Sequence, residues 1–162
     1  MKRILFLLGF LFCISCAHET PSPAPFKGVK IQKIPMDSLS IRAIELMQGN
    51  VVFAANKGTF GMLSLPDLKV KQNRLKGTLE SNLEFRSVAH TPEDFFMLSV
   101  ENPAMLYKTG DQGQMELVYT ENEPGVFYDA MTFFDAQKGI AVGDAVGGCL
   151  SIIRTTDGGK TW

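Results

Sequence analysis

The sequence predicts an all-β protein made of repeated antiparallel sheets, and two observations carry this prediction. The 162 residues include 15 glycines and 12 phenylalanines, and the apolar residues fall in many short runs rather than at helical spacing. Three segments, residues 40–67, 84–111 and 127–157, also share one pattern of three strands separated by polar turns, the last strand ending at an aspartate. β-Rich units of about forty to fifty residues are typical of β-propeller blades.

Two sets of landmarks fix the period of this repeat. The closing aspartates are 44 and 46 residues apart, and the residues that open the second strand are 44 and 45 residues apart. These landmarks are Asp67, Asp111 and Asp157 for the first set, and Val51, Phe95 and Ile140 for the second. We therefore expect blades at about residues 40–83, 84–126 and 127–162, the last of them incomplete, within a propeller domain over residues 29–162.

The first sixteen residues have the layout of a bacterial secretory signal. Two basic residues precede an apolar run over residues 4–14, which is too short to span a bilayer as a helix. Ser15 and Cys16 then resemble the lipobox of bacterial lipoproteins, in which the cysteine is lipidated and becomes the mature N-terminus. We expect a signal peptide over residues 1–15, lipidation at Cys16 and a place on the bacterial cell envelope, with a secreted protein as the alternative.

Residues 16–28 have the composition of a tether. Pro21, Pro23 and Pro25 alternate with small residues, which favours extended polyproline conformations and provides nothing to bury in a core. Once Cys16 carries lipid, Cys149 is the only other mature cysteine, and the fold must hold by packing alone.

Charge and metal-ligand content exclude several classes of function. The formal net charge of −1 gives no electrostatic reason to expect a nucleic acid as partner. The two histidines, His18 and His90, are far apart in the sequence, so no zinc site is predicted, and no cofactor is expected either. The stretch GDAVGG, residues 143–148, is not a dinucleotide-binding fingerprint and is interpreted as an inter-strand loop.

The stretch TTDGGKTW, residues 155–162, fits the Asp-box pattern Ser/Thr-x-Asp-x-Gly-x-Thr-Trp at every specified position. Its aspartate can accept hydrogen bonds from backbone N–H groups, and its two glycines permit positive φ in a tight turn. We interpret the motif as a structural staple at the edge of a blade. The specified residues are Thr155, Asp157, Gly159, Thr161 and Trp162, and a degenerate copy retains Thr109, Asp111 and Gly113.

These motifs resemble the bacterial neuraminidase-repeat (Asp-box) superfamily of propellers, and within it the family of the photosystem II stability and assembly factor. The likeness is carried by residues 40–61 and 133–162 and, with the repeat, covers residues 40–162. It implies a ring of four-stranded blades, usually seven, that acts as a binding scaffold. Because an arc of three blades has open edges, we expect the 162 residues to be part of a longer chain, or to close by oligomerisation.

Arg42 and Arg86 occupy equivalent positions in the first strands of their repeats, 44 residues apart, and Tyr128 is predicted at the next equivalent position. First strands line the central channel of a propeller, and the resemblance implies arginines on such a surface. The planar guanidinium suits carboxylates, so we expect this surface to bind a protein segment or a carboxylate-bearing ligand. The alternative is that each arginine pairs with a neighbouring acid such as Glu45, Glu84 or Asp129.

The leading hypothesis is a lipid-anchored, non-enzymatic binding or assembly scaffold. Its partner is an unidentified protein or carboxylate-bearing ligand, and the scaffold contacts the membrane through the lipid anchor only. The alternative is a sialidase-like glycoside hydrolase whose catalytic residues lie mostly outside these 162 residues. Sialidases use a tyrosine nucleophile and carry an Arg-Ile-Pro signature, whereas residues 40–44 provide the arginine without the proline. Tyr128 and Asp129 are adjacent in a predicted strand, so their side chains should point to opposite faces. No catalytic residue is therefore predicted.

Overall fold

The computed structural model describes residues 24–25, 27–36, 38–100, 102–110 and 113–162. The predicted signal peptide, Cys16 and most of the predicted tether lie outside the described residues, as does Asp111. Residues from Met36 to Trp162 form one compact unit. Within the described part of the chain, no helix has the length and apolar character needed to cross a membrane.

This unit consists of three antiparallel sheets that follow one another along the chain, and we call them blades 1, 2 and 3. Each strand pairs with its neighbour in sequence, which makes every sheet a simple meander. The predicted all-β partial propeller with an incomplete last blade is confirmed. Blade 1 contains β1 (Ile41–Met47), β2 (Asn50–Ala55), β3 (Thr59–Ser64) and β4 (Val70–Arg74); blade 2 contains β5 (Phe85–His90), β6 (Phe95–Ser99), β7 (Ala104–Thr109) and β8 (Met115–Glu121); blade 3 contains β9 (Tyr128–Phe133), β10 (Gly139–Val146) and β11 (Cys149–Thr155).

The first strand of each blade is its inner strand. β5 contacts both β1 and β9, so the three inner strands lie side by side and the blades stack through their faces. β4 and β8 lie at the opposite, outer edges of blades 1 and 2. A single 3-10 turn, Glu80–Asn82, connects blade 1 to blade 2.

Blade 2 is buried on both faces, and β6 shows why. Its sequence is FFMLS, and all five residues are buried. Because successive side chains of a strand point to opposite faces, Phe95 and Met97 join the core shared with blade 1, whereas Phe96 and Leu98 join the core shared with blade 3. A short continuous apolar run is the pattern expected of a strand that is covered on both sides.

The core between blades 1 and 2 combines small residues of blade 1 with large ones of blade 2. Ala43, Val52 and Ala54 pack in one cluster with Phe85 and Tyr107. The two aromatic rings meet edge to face with centroids 6.2 Å apart. Burial, with a smaller contribution from the charge of Glu80, raises the pKa of Tyr107 to about 12, so its hydroxyl stays neutral at physiological pH.

The core between blades 2 and 3 is built around Phe96. Its ring stacks on Phe133 with centroids 4.5 Å apart, and Trp162 meets both rings edge to face at 6.4 and 5.8 Å. Gly159 has φ +76°, and a Cβ added there would lie 2.3 Å from the Phe96 ring. The turn that carries the tryptophan can therefore approach the core closely only with glycine at this position.

The GDAVGG stretch differs from its prediction. β10 continues through Val146, and only Gly147 and Gly148 form the turn, with φ of 60° and 85°. Positive φ at both central residues is typical of the two-residue type I′ hairpin turn. The prediction of an inter-strand loop over residues 143–148 is therefore wrong for its first four residues. Gly143 lies against the backbone just before β9, since a Cβ there would clash with the Phe127 carbonyl oxygen.

The central position of Phe96 gives a stability prediction. Phe96→Ala should lower the free energy of unfolding by about 3–5 kcal/mol, because it removes a fully buried ring that holds blades 2 and 3 together. Phe134→Ala is the matched control, since that ring is 72% exposed and its loss should change stability little. Denaturant unfolding followed by fluorescence compares the two variants. Equal losses would contradict the assignment of the core.

Candidate functional site

The three inner strands share one irregularity at the same place. The register of β1 against β2 shifts at Arg42, and that of β5 against β6 shifts at Arg86. In β9 the corresponding shift falls at Asp129. A β-bulge inserts an extra residue into a strand and re-aims its side chain. Arg42, Arg86 and Asp129 are therefore structural equivalents on adjacent strands.

These three side chains line a single shallow concavity. It has a volume of about 310 Å³ and runs across β1, β5 and β9, with Ile44 and Met131 among its other lining residues. The two predicted arginines are therefore brought together, on the exposed surface of the inner strands. The concavity joins two cations and one anion with apolar patches between them.

Arg86 is oriented by two weak contacts. Its Nη1 lies 4.0 Å from Oδ1 of Asp129, and its guanidinium carbon lies 5.0 Å from the centroid of the Phe127 ring. Both charged side chains of this pair remain more than two fifths exposed. An exposed ion pair contributes about 0–1 kcal/mol and an exposed cation–π contact about 0.5–1 kcal/mol. A competing carboxylate can therefore displace Asp129 at low cost.

Arg42 is exposed, and within the described residues it takes part in no ion pair. Glu45 is the acid nearest to Arg42 in the sequence. Its Oε1 lies 3.8 Å from Nε2 of His90 on the neighbouring strand instead. The alternative that acids neutralise these arginines therefore holds in part for Arg86 and does not hold for Arg42. The concavity keeps an uncompensated positive charge.

Tyr128 does not belong to this surface. It aligns with Ile41 and Phe85 rather than with the arginines, it is 2% exposed, and it lies in the core between blades 2 and 3. Burial raises the pKa of its hydroxyl, which interacts with the hydroxyl of Tyr119. The predicted equivalence of Tyr128 with the arginines is wrong by one residue. Aligning the buried aromatic side chains of β5 and β9 would have placed Asp129 correctly.

This position also bears on the hydrolase alternative. Tyr128 is buried in the core between blades 2 and 3, whereas the side chain of Asp129 is half exposed. A tyrosine nucleophile must reach the sugar from the same surface as its acid. This pair therefore does not form that arrangement.

The turn over residues 155–162 is closed by the side chains of Thr155 and Asp157. Oδ1 of Asp157 accepts hydrogen bonds from the Thr155 hydroxyl (2.7 Å) and from the backbone N–H groups of Lys160 and Thr161 (3.0 Å each), and Oδ2 accepts the Thr161 hydroxyl (2.6 Å). The Thr155 hydroxyl oxygen in turn accepts from the N–H of Gly159 at 3.0 Å. These bonds, that from the Thr161 hydroxyl first, hold the pKa of Asp157 far below its usual value. Both carboxylate oxygens serve the turn itself.

The related turn after β7 is held differently. The hydroxyl of Thr109 accepts a hydrogen bond from the N–H of Phe95 (2.9 Å) and donates one to Asp94 (3.3 Å). It therefore supports the start of β6 rather than its own turn. Gly113 adopts a φ of 75°, close to the 76° of Gly159. The described residues contain no group of three or more histidine, cysteine, aspartate or glutamate side chains that could hold a metal ion.

Comparisons with known proteins bear on the fold. No protein-family model and no curated protein matches the chain. Among solved structures, the chain is similar to YCF48 bound to a D1 peptide, with a TM-score of 0.62 and 13% identity. That likeness covers 76% of this chain and 38% of YCF48, so the chain spans well under half of that protein. It shows the β-propeller fold.

Two further solved structures share less with the chain. The computationally designed Ika4 protein has a TM-score of 0.40 at 12% identity, over 78% of this chain and 98% of that one. The N-terminal domain of Nup159 has a TM-score of 0.40 at 15% identity, over 70% and 32% of the two chains.

The hydrogen bonds of Asp157 give a prediction for pH. Asp157→Asn should lower the melting temperature at neutral pH, because an amide cannot accept all the bonds that the carboxylate accepts. A depressed folded-state pKa means that the stabilisation is fully present above the unfolded-state value of 3.8 and is lost as the pH falls toward the folded-state value. The difference between wild type and variant should therefore shrink below pH 3.8.

Thermal melting from neutral to acidic pH measures this difference. Asp144→Asn is the control, since Asp144 is an exposed aspartate of β10. A difference for Asp157→Asn that is the same at all pH values would rule out the carboxylate as its source.

Proposed function

We propose that this chain is a non-enzymatic binding scaffold whose inner-strand concavity binds a protein segment through its carboxylate groups. The observation that carries the proposal is the placement of Arg42 and Arg86 at equivalent bulges on neighbouring strands, facing one concavity. Bulges that re-aim side chains are over-represented next to functional sites. Two arginines aimed at one place favour an anionic ligand.

The chemistry of the concavity favours a carboxylate. A guanidinium presents its N–H donors in a planar fork that matches the two oxygens of a carboxylate. Arg42 offers this fork free of ion pairs within the described chain, and Arg86 offers it once its 4.0 Å contact with Asp129 gives way. The apolar side chains between the arginines, such as Ile44, would contact the neighbouring residues of a bound peptide. The expected ligand is therefore a peptide whose C-terminal or side-chain carboxylate binds between the two arginines.

The fold comparison supports a ligand of this kind. One solved structure with this fold is YCF48 bound to a D1 peptide. That propeller therefore binds a peptide, and we propose a peptide-like ligand for this chain also. The proposal rests on the concavity, because 13% identity carries the fold and not the ligand.

We also propose that the scaffold is held at the bacterial cell envelope by a lipid on Cys16 and by the tether over residues 16–28. The signal layout before Cys16 and the three alternating prolines after it support this. Metabolic labelling with palmitate in a bacterial host should label the wild-type chain and leave Cys16→Ser unlabelled. A wild-type chain that is released without label would instead favour the secreted alternative.

The binding proposal is tested with the two arginines together. Arg42→Ala/Arg86→Ala should weaken binding of a carboxylate peptide on the order of a hundredfold, since each lost charge-assisted hydrogen-bonding group costs about 1.5–3 kcal/mol. The probe is an array of peptides with free C-termini, printed beside the same peptides in amidated form. Arg154→Ala is the control, because Arg154 is an exposed arginine of β11 outside the concavity.

A further variant in the same experiment should change the peptide affinity in the opposite direction. Asp129→Asn should tighten binding of the same peptides, because it removes the carboxylate that competes for Arg86 while keeping the size of the side chain. Unchanged affinity in the double arginine variant, or no peptide bound by the wild type, would overturn the proposal.

A further inference from the structure

The small net charge of the chain conceals a strong separation of charge between blades. Residues 40–83, which contain blade 1, include six basic and three acidic residues. Residues 84–126, which contain blade 2, include two basic and eight acidic residues. Blade 1 is therefore the cationic part of the propeller, and its cations are not spread evenly.

Most of these cations lie along the outer edge strand. Residues 68–79 contain Lys69, Lys71, Arg74 and Lys76 and no acidic residue. β4 pairs only with β3, and its residues from Lys71 to Arg74 are all exposed. Lys71 and Arg74 lie in β4, three residues and so roughly 10 Å apart along an open sheet edge, and Lys69 and Lys76 flank the strand.

A fifth cation joins this edge from the turn between β2 and β3. The Nε–H group of Arg74 donates a hydrogen bond to the carbonyl oxygen of Lys57, and the N–H of Leu75 donates to Gly58 at 3.0 Å. Lys57, Arg74 and Lys76 line one cleft of about 540 Å³, beside the amide side chains of Gln72 and Asn73. None of the described residues that line this cleft is acidic.

Four of these five cations lack a counter-charge among the described residues. Lys69 pairs with Asp67 at 3.0 Å, and both side chains of that pair are exposed. Lys57, Lys71, Arg74 and Lys76 take part in no ion pair among the described residues, and we call these four the basic edge. Like charges held close together repel one another, and an external anion relieves that repulsion.

We propose that the basic edge binds the phosphate groups of anionic phospholipids and so turns the outer edge of blade 1 toward the membrane. The inference rests on the anchoring part of the proposed function, because a tether to the membrane raises the local concentration of headgroups. Each Lys or Arg near an anionic surface contributes about 1 kcal/mol, which is weak for a free protein and sufficient for a tethered one. The guanidinium of Arg74 within the cleft provides a fork for one phosphate group.

A second explanation of edge lysines is protection against aggregation. Charged side chains on an edge strand discourage pairing with other chains. That role requires charges on β4 alone. It does not account for Lys57, which lies outside the strand, or for a cleft lined by three cations and two amides.

Vesicle binding of the full-length chain tests the proposal. Sedimentation with vesicles of phosphatidylcholine alone, and of phosphatidylcholine with about one third phosphatidylglycerol, gives the preference for anionic lipid. The variant Lys57→Gln/Lys71→Gln/Lys76→Gln leaves the Arg74 hydrogen bond intact. The matched control Lys138→Gln/Arg154→Gln/Lys160→Gln removes three cations from the region of blade 3 and changes the net charge equally. Lys27, Lys30 and Lys33 are unchanged in both and contribute equally.

The preference for anionic vesicles should fall about fivefold per cation, and so on the order of a hundredfold, in the basic-edge variant. It should stay near the wild-type value in the blade 3 control and weaken as salt rises. An equal fall in the preference for anionic vesicles in both variants would overturn the proposal. Loss of vesicle binding on addition of inorganic phosphate at constant ionic strength would also overturn it, because it would indicate a site for soluble phosphate. Anchoring is measured separately by palmitate labelling of the wild type and Cys16→Ser, and peptide binding is measured without vesicles. Failure of anchoring, of peptide binding or of the basic edge can therefore be told apart.

Discussion

Burial of β6 on both of its faces is the constraint on which the remaining structure depends. Phe95 and Met97 close the core against blade 1, while Phe96 and Leu98 close the core against blade 3. A strand covered on both sides fixes the spacing of the two blades that cover it. The inner strands β1, β5 and β9 then lie side by side, and their bulges fall in line. The concavity with Arg42, Arg86 and Asp129 therefore depends on the packing of β6, the strand next to the inner strand β5.

The exposed charges are organised around this apolar stack. The inner face carries two arginines and one aspartate, and the outer edge of blade 1 carries the basic edge. Residues 84–126, which contain blade 2, carry eight of the 17 acidic residues. The inner and outer edges of a blade are separated by the width of its sheet. The proposed peptide site and the proposed lipid site therefore lie on opposite edges of blade 1. The fold separates the two surfaces, and the charges on each surface determine which ligand we expect it to bind.

The sequence was sufficient to predict the sheets because each blade must bury the same kinds of strand at the same interval. The period located the strands of blades 1 and 2 and the turn at Asp157, since those depend on local pattern and turn chemistry. It failed by one residue at Tyr128, because spacing alone does not show where a bulge inserts its extra residue. It also placed a loop where β10 continues, because glycines 143, 147 and 148 look alike in sequence but only the last two form the turn.

Two features of the site depend on contacts between blades, which no local pattern reports. The contact of Arg86 with Asp129 joins β5 to β9, and Glu45 is engaged by His90 rather than by an arginine. Three members of the basic edge, Lys71, Arg74 and Lys76, lie in residues 68–79, a stretch that contains four cations and no acid. Only the structure shows that Lys57, which is distant in the sequence, lies beside Arg74 and belongs to the same group of cations.

Native-state hydrogen exchange, measured residue by residue, tests the central claim that the stack is organised by β6. The amides of Met97 and Leu98 should exchange only through global unfolding, because their strand is covered on both faces. The amides of the exposed edge strand β4 should exchange through local opening of much lower free energy. Exchange of the β6 amides at the rate of those in β4 would contradict the account, since blade 2 would then not hold its neighbours in place.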